Sequence, residues 1–276
     1  MDGTATTTRP FKPLGAEKFK DPDVTADGKA RARVPLTDLS TLWINTGTLC
    51  NIACTNCYID SSPRNDRLVY FTAEDARALY DEIAALSYPT REIAFTGGEP
   101  FLNPDMLDMA GEALLRGFSV LVLTNAMTPM QRPAIRDGLC ELRRRYGGRL
   151  TLRVSLDHYT QALHEKERGA GTWKSAIAGL DWLAENGFSI AIAGRTCWGE
   201  AEAAARAGFA GLFAARGYPI DAQDREQLVL FPEMNEREDV PEITTECWDL
   251  LGIAPQTIMC ATSRMVVKHK GSEKLS

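Results

Sequence analysis

Cys50, Cys54 and Cys57 stand within eight positions in the run LCNIACTNCYID, separated by three and then two residues. A loop that short can turn three thiolates toward one point. Three thiolates suffice for three irons of a cubane iron–sulfur cluster and leave the fourth iron without a protein ligand. An iron left open in that way is a binding site. Two other readings fit the same residues. Structural zinc takes four Cys or His ligands, but His158 and His164 lie far along the chain. Buried apolar thiols are the third reading, since unpaired cysteine is often buried, and it serves for Cys140, Cys197, Cys247 and Cys260, above all Cys140. None of those four sits in a short Cys-x2-Cys pair, so a single cluster is expected.

A second chemical pattern is FTGGEP at 95–100. Gly97 and Gly98 lack a Cβ, so backbone there can approach a ligand closely, Glu99 offers an acceptor to an ammonium group, and Pro100 stiffens the turn. Alone, such a turn is common between a strand and a helix.

These residues need elements to hold them. Six β-rich runs alternate with helical patterns: TLWIN (41–45), EIAFT (92–96), SVLVLT (119–124), LTLRVSL (150–156), SIAIAG (189–194) and QLVLF (227–231). Between the first two, Thr72 and Asp75 form a capping-box pattern ahead of Ala76, Leu79, Tyr80, Ile83 and Leu86 at helical spacing. Further helices are expected near 104–116, 130–146, 172–186 and 199–216. Strands joined through helices run parallel with right-handed crossovers, as either an open doubly wound sheet or an incomplete barrel. In both, the cysteine loop and GGEP fall at carboxyl ends of strands, where such folds carry their chemistry. The segment 257–271, TIMCATSRMVVKHKG, is read as a hairpin.

The 276 residues, 44% hydrophobic, suit one large α/β domain, or one domain with a small appendage. A net charge of −6 gives no electrostatic footprint for nucleic acid or an anionic membrane. Neither an apolar leader nor a run of about 18 apolar residues is present, so a cytoplasmic location is expected. In that reducing setting a tight cysteine cluster reads as a metal or catalytic site, not as a disulfide framework.

Cys-x3-Cys-x2-Cys after the first strand and Gly-Gly-Glu-Pro after the second together resemble the radical S-adenosylmethionine (radical SAM) superfamily. The likeness continues through VLTNA (122–126) and VSLD (154–157) to about residue 230. It implies a partial (β/α)6 TIM-like barrel of parallel strands with a short C-terminal extension. It also implies one 4Fe–4S cluster on Cys50, Cys54 and Cys57, with S-adenosylmethionine (SAM) chelating the open iron. Gly97, Gly98, Glu99 and Pro100 would contact the methionine end of SAM, and Asn125, Ser155 and Arg195 its ribose and carboxylate. Tyr58 would read the adenine. His164 and Arg168 match a family His-x-x-x-Arg-Gly pattern that a solvated loop after the fourth strand would equally explain. Asn56 stands where many members of the family carry an aromatic or other apolar residue near the adenine.

Residues 1–38 mix Pro, Gly, Thr and charge without sustained periodicity and read as a flexible lead-in, and the resemblance divides the rest into a radical SAM core (39–232) and an extension (233–276). Cys260 and Gly271 in that extension resemble the start of a SPASM or twitch auxiliary-cluster domain, left incomplete. The implied reaction is reductive cleavage of SAM to a 5′-deoxyadenosyl radical that takes hydrogen from a peptide, protein or small-metabolite substrate. An external one-electron donor such as flavodoxin or ferredoxin would drive it. No catalytic side chain is singled out. A non-catalytic iron–sulfur electron carrier and a zinc-stabilised interaction domain are the alternatives.

Overall fold

The computed structural model describes residues 14–196, 198–232, 239–272 and 274–276. All six expected strands are present: β1 (Thr41–Asn45), β2 (Glu92–Thr96), β3 (Ser119–Thr124), β4 (Leu150–Ser155), β5 (Ser189–Arg195) and β6 (Leu228–Phe231). A seventh, β7 (Ser263–Val266), pairs in parallel with β1. The order is β6-β5-β4-β3-β2-β1-β7, every neighbouring pair being parallel. The sheet is the curled half-barrel of a partial TIM-like fold, one strand wider than the six-stranded expectation. The hairpin read at 257–271 is not formed. Instead a helical turn leads directly into β7, and the chain turns back only later, where Val267 and Ser276 exchange two backbone hydrogen bonds.

Around this sheet lie α1 (Ala73–Ala85), α2 (Met106–Leu115), α3 (Thr128–Gln131), α4 (Pro133–Tyr146), α5 (Gln161–Arg168), α6 (Thr172–Glu185) and α7 (Glu202–Arg216). The capping box forms as expected: the Thr72 hydroxyl accepts from the Asp75 amide at 3.1 Å, and the Asp75 carboxylate accepts from the Thr72 amide at 3.0 Å. The helix expected over 130–146 is broken, because Arg132 precedes Pro133 and takes extended angles (φ −60°, ψ 138°). Helix α5 replaces the solvated loop considered after the fourth strand. Its buried residues are His164 and Glu167, both polar, so apolar periodicity could not reveal it.

Residues two apart on a strand share a face. Leu42 and Ile44, Ile93 and Phe95, Val120 and Val122, and Ile190 and Ile192 join one core with Tyr80, Met109, Leu139, Leu180, Phe209 and Phe213 of the helices. The opposite parity faces the hollow of the half-barrel, where Leu123, Ser155, Ala193 and Arg195 line a cavity.

Contacts divide the chain into two units, with Asp38–Pro232 and Ser263–Ser276 forming the barrel. In the other, the described residues 14–37 and 239–262 are joined by the ion pairs Lys18–Asp239 (2.5 Å) and Arg31–Glu242 (2.6 Å). The Glu242 carboxylate also accepts from the amides of Ala26 and Phe19, and these bonds hold its pKa down to about 2. This unit contains α8 (Cys247–Leu251) and α9 (Met259–Thr262). Cys140 is half-buried against the core, Cys247 is half-buried beside Thr244, and Cys260 is exposed. The buried-thiol reading therefore does not hold for Cys260. Cys197 lies outside the described residues.

Phe95 has no exposed surface. Phe95→Ala is expected to lower the unfolding free energy of the apo-protein by roughly 3–5 kcal/mol, read as a shifted midpoint in urea at unchanged slope.

Candidate active site

The two glycines of GGEP bring the loops after β1 and β2 together. The Gly98 amide donates to the Gly47 carbonyl at 2.8 Å and the Glu99 amide to the Leu49 carbonyl at 3.1 Å. A Cβ on Gly98 would lie 2.1 Å from the Leu49 carbonyl oxygen, and one on Gly97, at φ +139°, would lie 2.6 Å from that of Gly47. The missing side chains thus allow backbone to meet backbone immediately before Cys50.

Beside this contact is a cavity of about 240 Å³, among whose lining residues are Cys50, Cys54, Cys57, Tyr58, Gly97, Gly98, Asn125, Ser155, Asp157, Arg168 and Arg195. Ten of the eleven cofactor and metal residues expected from sequence cluster here or directly behind it, Glu99 being the one in the wall. The eleventh, Pro100, is buried at the start of a helical turn, Pro100–Leu102.

Glu99 is 1% exposed. Its carboxylate accepts from the Thr124 hydroxyl (2.8 Å), the Asn125 amide (2.8 Å) and the Phe101 amide (3.3 Å). A carboxylate has about four acceptor positions, so roughly one is left over. Burial pushes its pKa up to about 7 against the opposing pull of these bonds.

Asn125 donates to the Asn51 side chain at 2.8 Å, linking the loop after β3 to the cysteine loop. Tyr58, 62% exposed, has the Arg195 guanidinium 4.9 Å from its ring centre and Phe231 edge-on at 6.4 Å.

The floor carries a charged cluster that the sequence did not disclose as such. Asp157, just beyond β4, accepts a bidentate pair from Arg168 (2.7 and 3.0 Å) and a further bond from Arg195 at 3.3 Å. Their side chains are 3%, 11% and 9% exposed. Burial alone would raise the Asp157 carboxyl, but Arg168 and Arg195 outweigh it and hold the pKa below its ordinary value. His164, one turn before Arg168, is fully buried with neither ring nitrogen hydrogen-bonded among the described residues; burial first, then Arg168, depress its pKa to about 4. The signal for this cluster was present as His-x-x-x-Arg, but its partner Asp157 could be known only from the fold.

Burial raises the Cys50 thiol to about 11 and also raises Cys54, with Arg168 opposing both. In this conformation no three His, Cys, Asp or Glu side chains among the described residues converge closely enough to hold a metal ion. The donor chemistry nevertheless suits a cubane: three thiols edge one cavity, and metal binding takes their protons.

The Radical SAM superfamily model matches residues 44–197, more than half of the chain. The chain belongs to the radical SAM superfamily. Enzymes of this superfamily use a 4Fe–4S cluster together with SAM. Curated relatives include Fe-coproporphyrin III synthase of Methanosarcina barkeri, 29% identical over 147 residues, covering 52% of this chain and 33% of the relative. Another is the antilisterial bacteriocin subtilosin biosynthesis protein AlbA of Bacillus subtilis, 28% identical over 145 residues, covering 52% of this chain and 30% of AlbA. The chain thus spans about a third of the curated radical SAM proteins it matches.

Among solved structures, Streptococcus suis SuiB superposes with a TM-score of 0.57 at 12% identity, covering 87% of this chain and 51% of SuiB. The protein anSMEcpe, solved with bound SAM, gives 0.53 at 14% identity over 71% of this chain and 52% of its own. These likenesses establish the fold.

The folded Glu99 carboxyl keeps its proton to about pH 7, whereas the unfolded chain releases it near 4.5. The folded state therefore binds more protons in that window, and stability falls as pH rises through it. Glu99→Gln in the apo-protein is expected to remove that fall, a difference of order a few kcal/mol at most, measured by urea denaturation across the window.

Proposed function

We propose that this chain is a radical SAM enzyme in which Cys50, Cys54 and Cys57 hold one 4Fe–4S cluster and the adjoining cavity receives SAM. The observation that carries this reading is the meeting of the three cysteines, Gly97, Gly98, Asn125, Ser155 and Arg195 on one cavity of a radical SAM fold. When bound, the cluster and SAM supply one-electron cleavage of a carbon–sulfur bond and, through it, hydrogen-atom abstraction from substrate. The family match argues against the zinc-stabilised and electron-carrier alternatives.

The chain's own residues bind and orient. Glu99 keeps one acceptor position for the SAM ammonium while its other bonds fix the loops around it. Arg195 presents positive charge to the SAM carboxylate, Ser155 and Asn125 offer hydrogen bonds to the ribose, and Tyr58 offers an apolar face to the adenine. Pro100 holds the turn from behind. The proposed core is residues 39–232, to whose sheet the end of the proposed 233–276 extension adds β7, and 1–38 is the lead-in.

The substrate class we favour is a peptide or protein side chain. AlbA is a bacteriocin biosynthesis protein and SuiB has been solved bound to its precursor peptide SuiA. Fe-coproporphyrin III synthase and the AdoMet-dependent heme synthase of Methanosarcina barkeri, which is 28% identical over 147 residues, support a small-molecule substrate as the second reading. An external flavodoxin or ferredoxin would deliver the electron, and the cytoplasm is the proposed location. Among the described residues no helix is long and apolar enough to cross a membrane.

Anaerobic reconstitution with iron and sulfide, then SAM and dithionite, is expected to yield 5′-deoxyadenosine without added substrate. Its absence from protein with a verified 4Fe–4S spectrum and bound SAM would overturn the reading. Replacing Cys50, Cys54 and Cys57 together by Ala should abolish iron and sulfide uptake, and Cys260→Ala should leave both unchanged. Iron at twice the single-cubane level would show a second cluster.

A further inference from the structure

Only Thr55 and Asn56 separate the second and third cysteines, and both are tied to the end of α5. The Thr55 amide donates to the Glu167 carbonyl at 2.8 Å, and the Asn56 side-chain amide donates to the Glu167 carboxylate at 3.0 Å. From the other side Arg195 donates to the Asn56 carbonyl at 2.8 Å. Glu167 is 6% exposed. A carboxylate that deeply placed is costly unless it is hydrogen-bonded, and Asn56 supplies such a donor.

We infer that Asn56 and Glu167 form a matched latch that positions the cysteine loop on α5, so that Glu167 is a positioning residue for the cluster in this chain. The inference rests on the proposed cluster site. The latch holds the backbone between Cys54 and Cys57, so it fixes the frame that carries these two thiols. A loop released from α5 would close as readily on iron but open more often, and its cluster would be lost faster. Because the pair is a donor facing an acceptor, reversing the two roles should preserve it. Asn56→Asp combined with Glu167→Gln restores one hydrogen bond with the charge moved across.

The test uses the full chain reconstituted with iron and sulfide under anaerobic conditions and follows loss of the cluster's visible absorbance in excess chelator, beside thermal melts of the apo-protein. Asn56→Ala and Glu167→Ala should each speed iron loss roughly tenfold, the scale of one hydrogen bond to a charged acceptor. The double variant should be no faster than either single one, because the two act as a unit. Glu167→Gln should stay near wild type, since its amide oxygen still accepts from Asn56. Asn56→Asp should lose iron quickly, and adding Glu167→Gln to it should restore retention.

Wild-type loss rates in both Ala variants, or effects that multiply in the double variant, would overturn the latch. Where the Ala variants melt much lower as apo-protein, the reversed pair decides: restored retention supports the latch and unrestored retention overturns it. A wild-type chain that takes up no iron and sulfide would instead defeat the proposed function, so the two failures are distinguishable.

Discussion

The site depends first on a backbone contact that side chains would forbid. Gly98 lies so close to Leu49 that a Cβ would sit 2.1 Å from its carbonyl oxygen, and the same approach lets the Gly98 and Glu99 amides bond to the carbonyls of Gly47 and Leu49. These bonds join the end of the second strand to the chain just before Cys50. Without them the cysteine loop and the GGEP turn would be two separate loops on one sheet edge. With them, they are two walls of one cavity.

Charge burial completes what the glycines begin. Asp157, Arg168 and Arg195 come from the end of β4, the end of α5 and the end of β5, and none of them could be held that deeply alone. Their mutual bonds anchor α5 against the barrel, and α5 in turn receives Thr55 and Asn56. Glu99 plays the corresponding part opposite, joining the turn after β2 to Thr124 and Asn125 at the end of β3. The cavity is thus framed by polar bonds between loops, while the apolar core between sheet and helices supplies the rigid base.

Departures from the sequence reading follow from the same physics. Helix α5 was hidden because the residues it buries are His164 and Glu167, which carry no apolar period. β7 was hidden because Ser263–Val266 is short and only half covered, so it reads as one arm of a hairpin until its pairing with β1 is known. The break in the third expected helix was legible at Arg132–Pro133, where proline disfavours a helical residue before it.

The sequence by itself determined the six strands, their parallel direction, the cysteine triplet, the GGEP turn and the superfamily they resemble. Each of those is local: an alternating run, a capping box, a spacing of thiols. What only the tertiary structure decided are relations between distant residues. Glu99 is held by the loop after β3, Asp157 gathers two arginines, and Asn56, which looked like a departure from the family, has its partner in Glu167 more than a hundred residues away. A hydrogen bond needs its donor and acceptor about 3 Å apart, and nothing in the spacing of either residue along the chain records that distance.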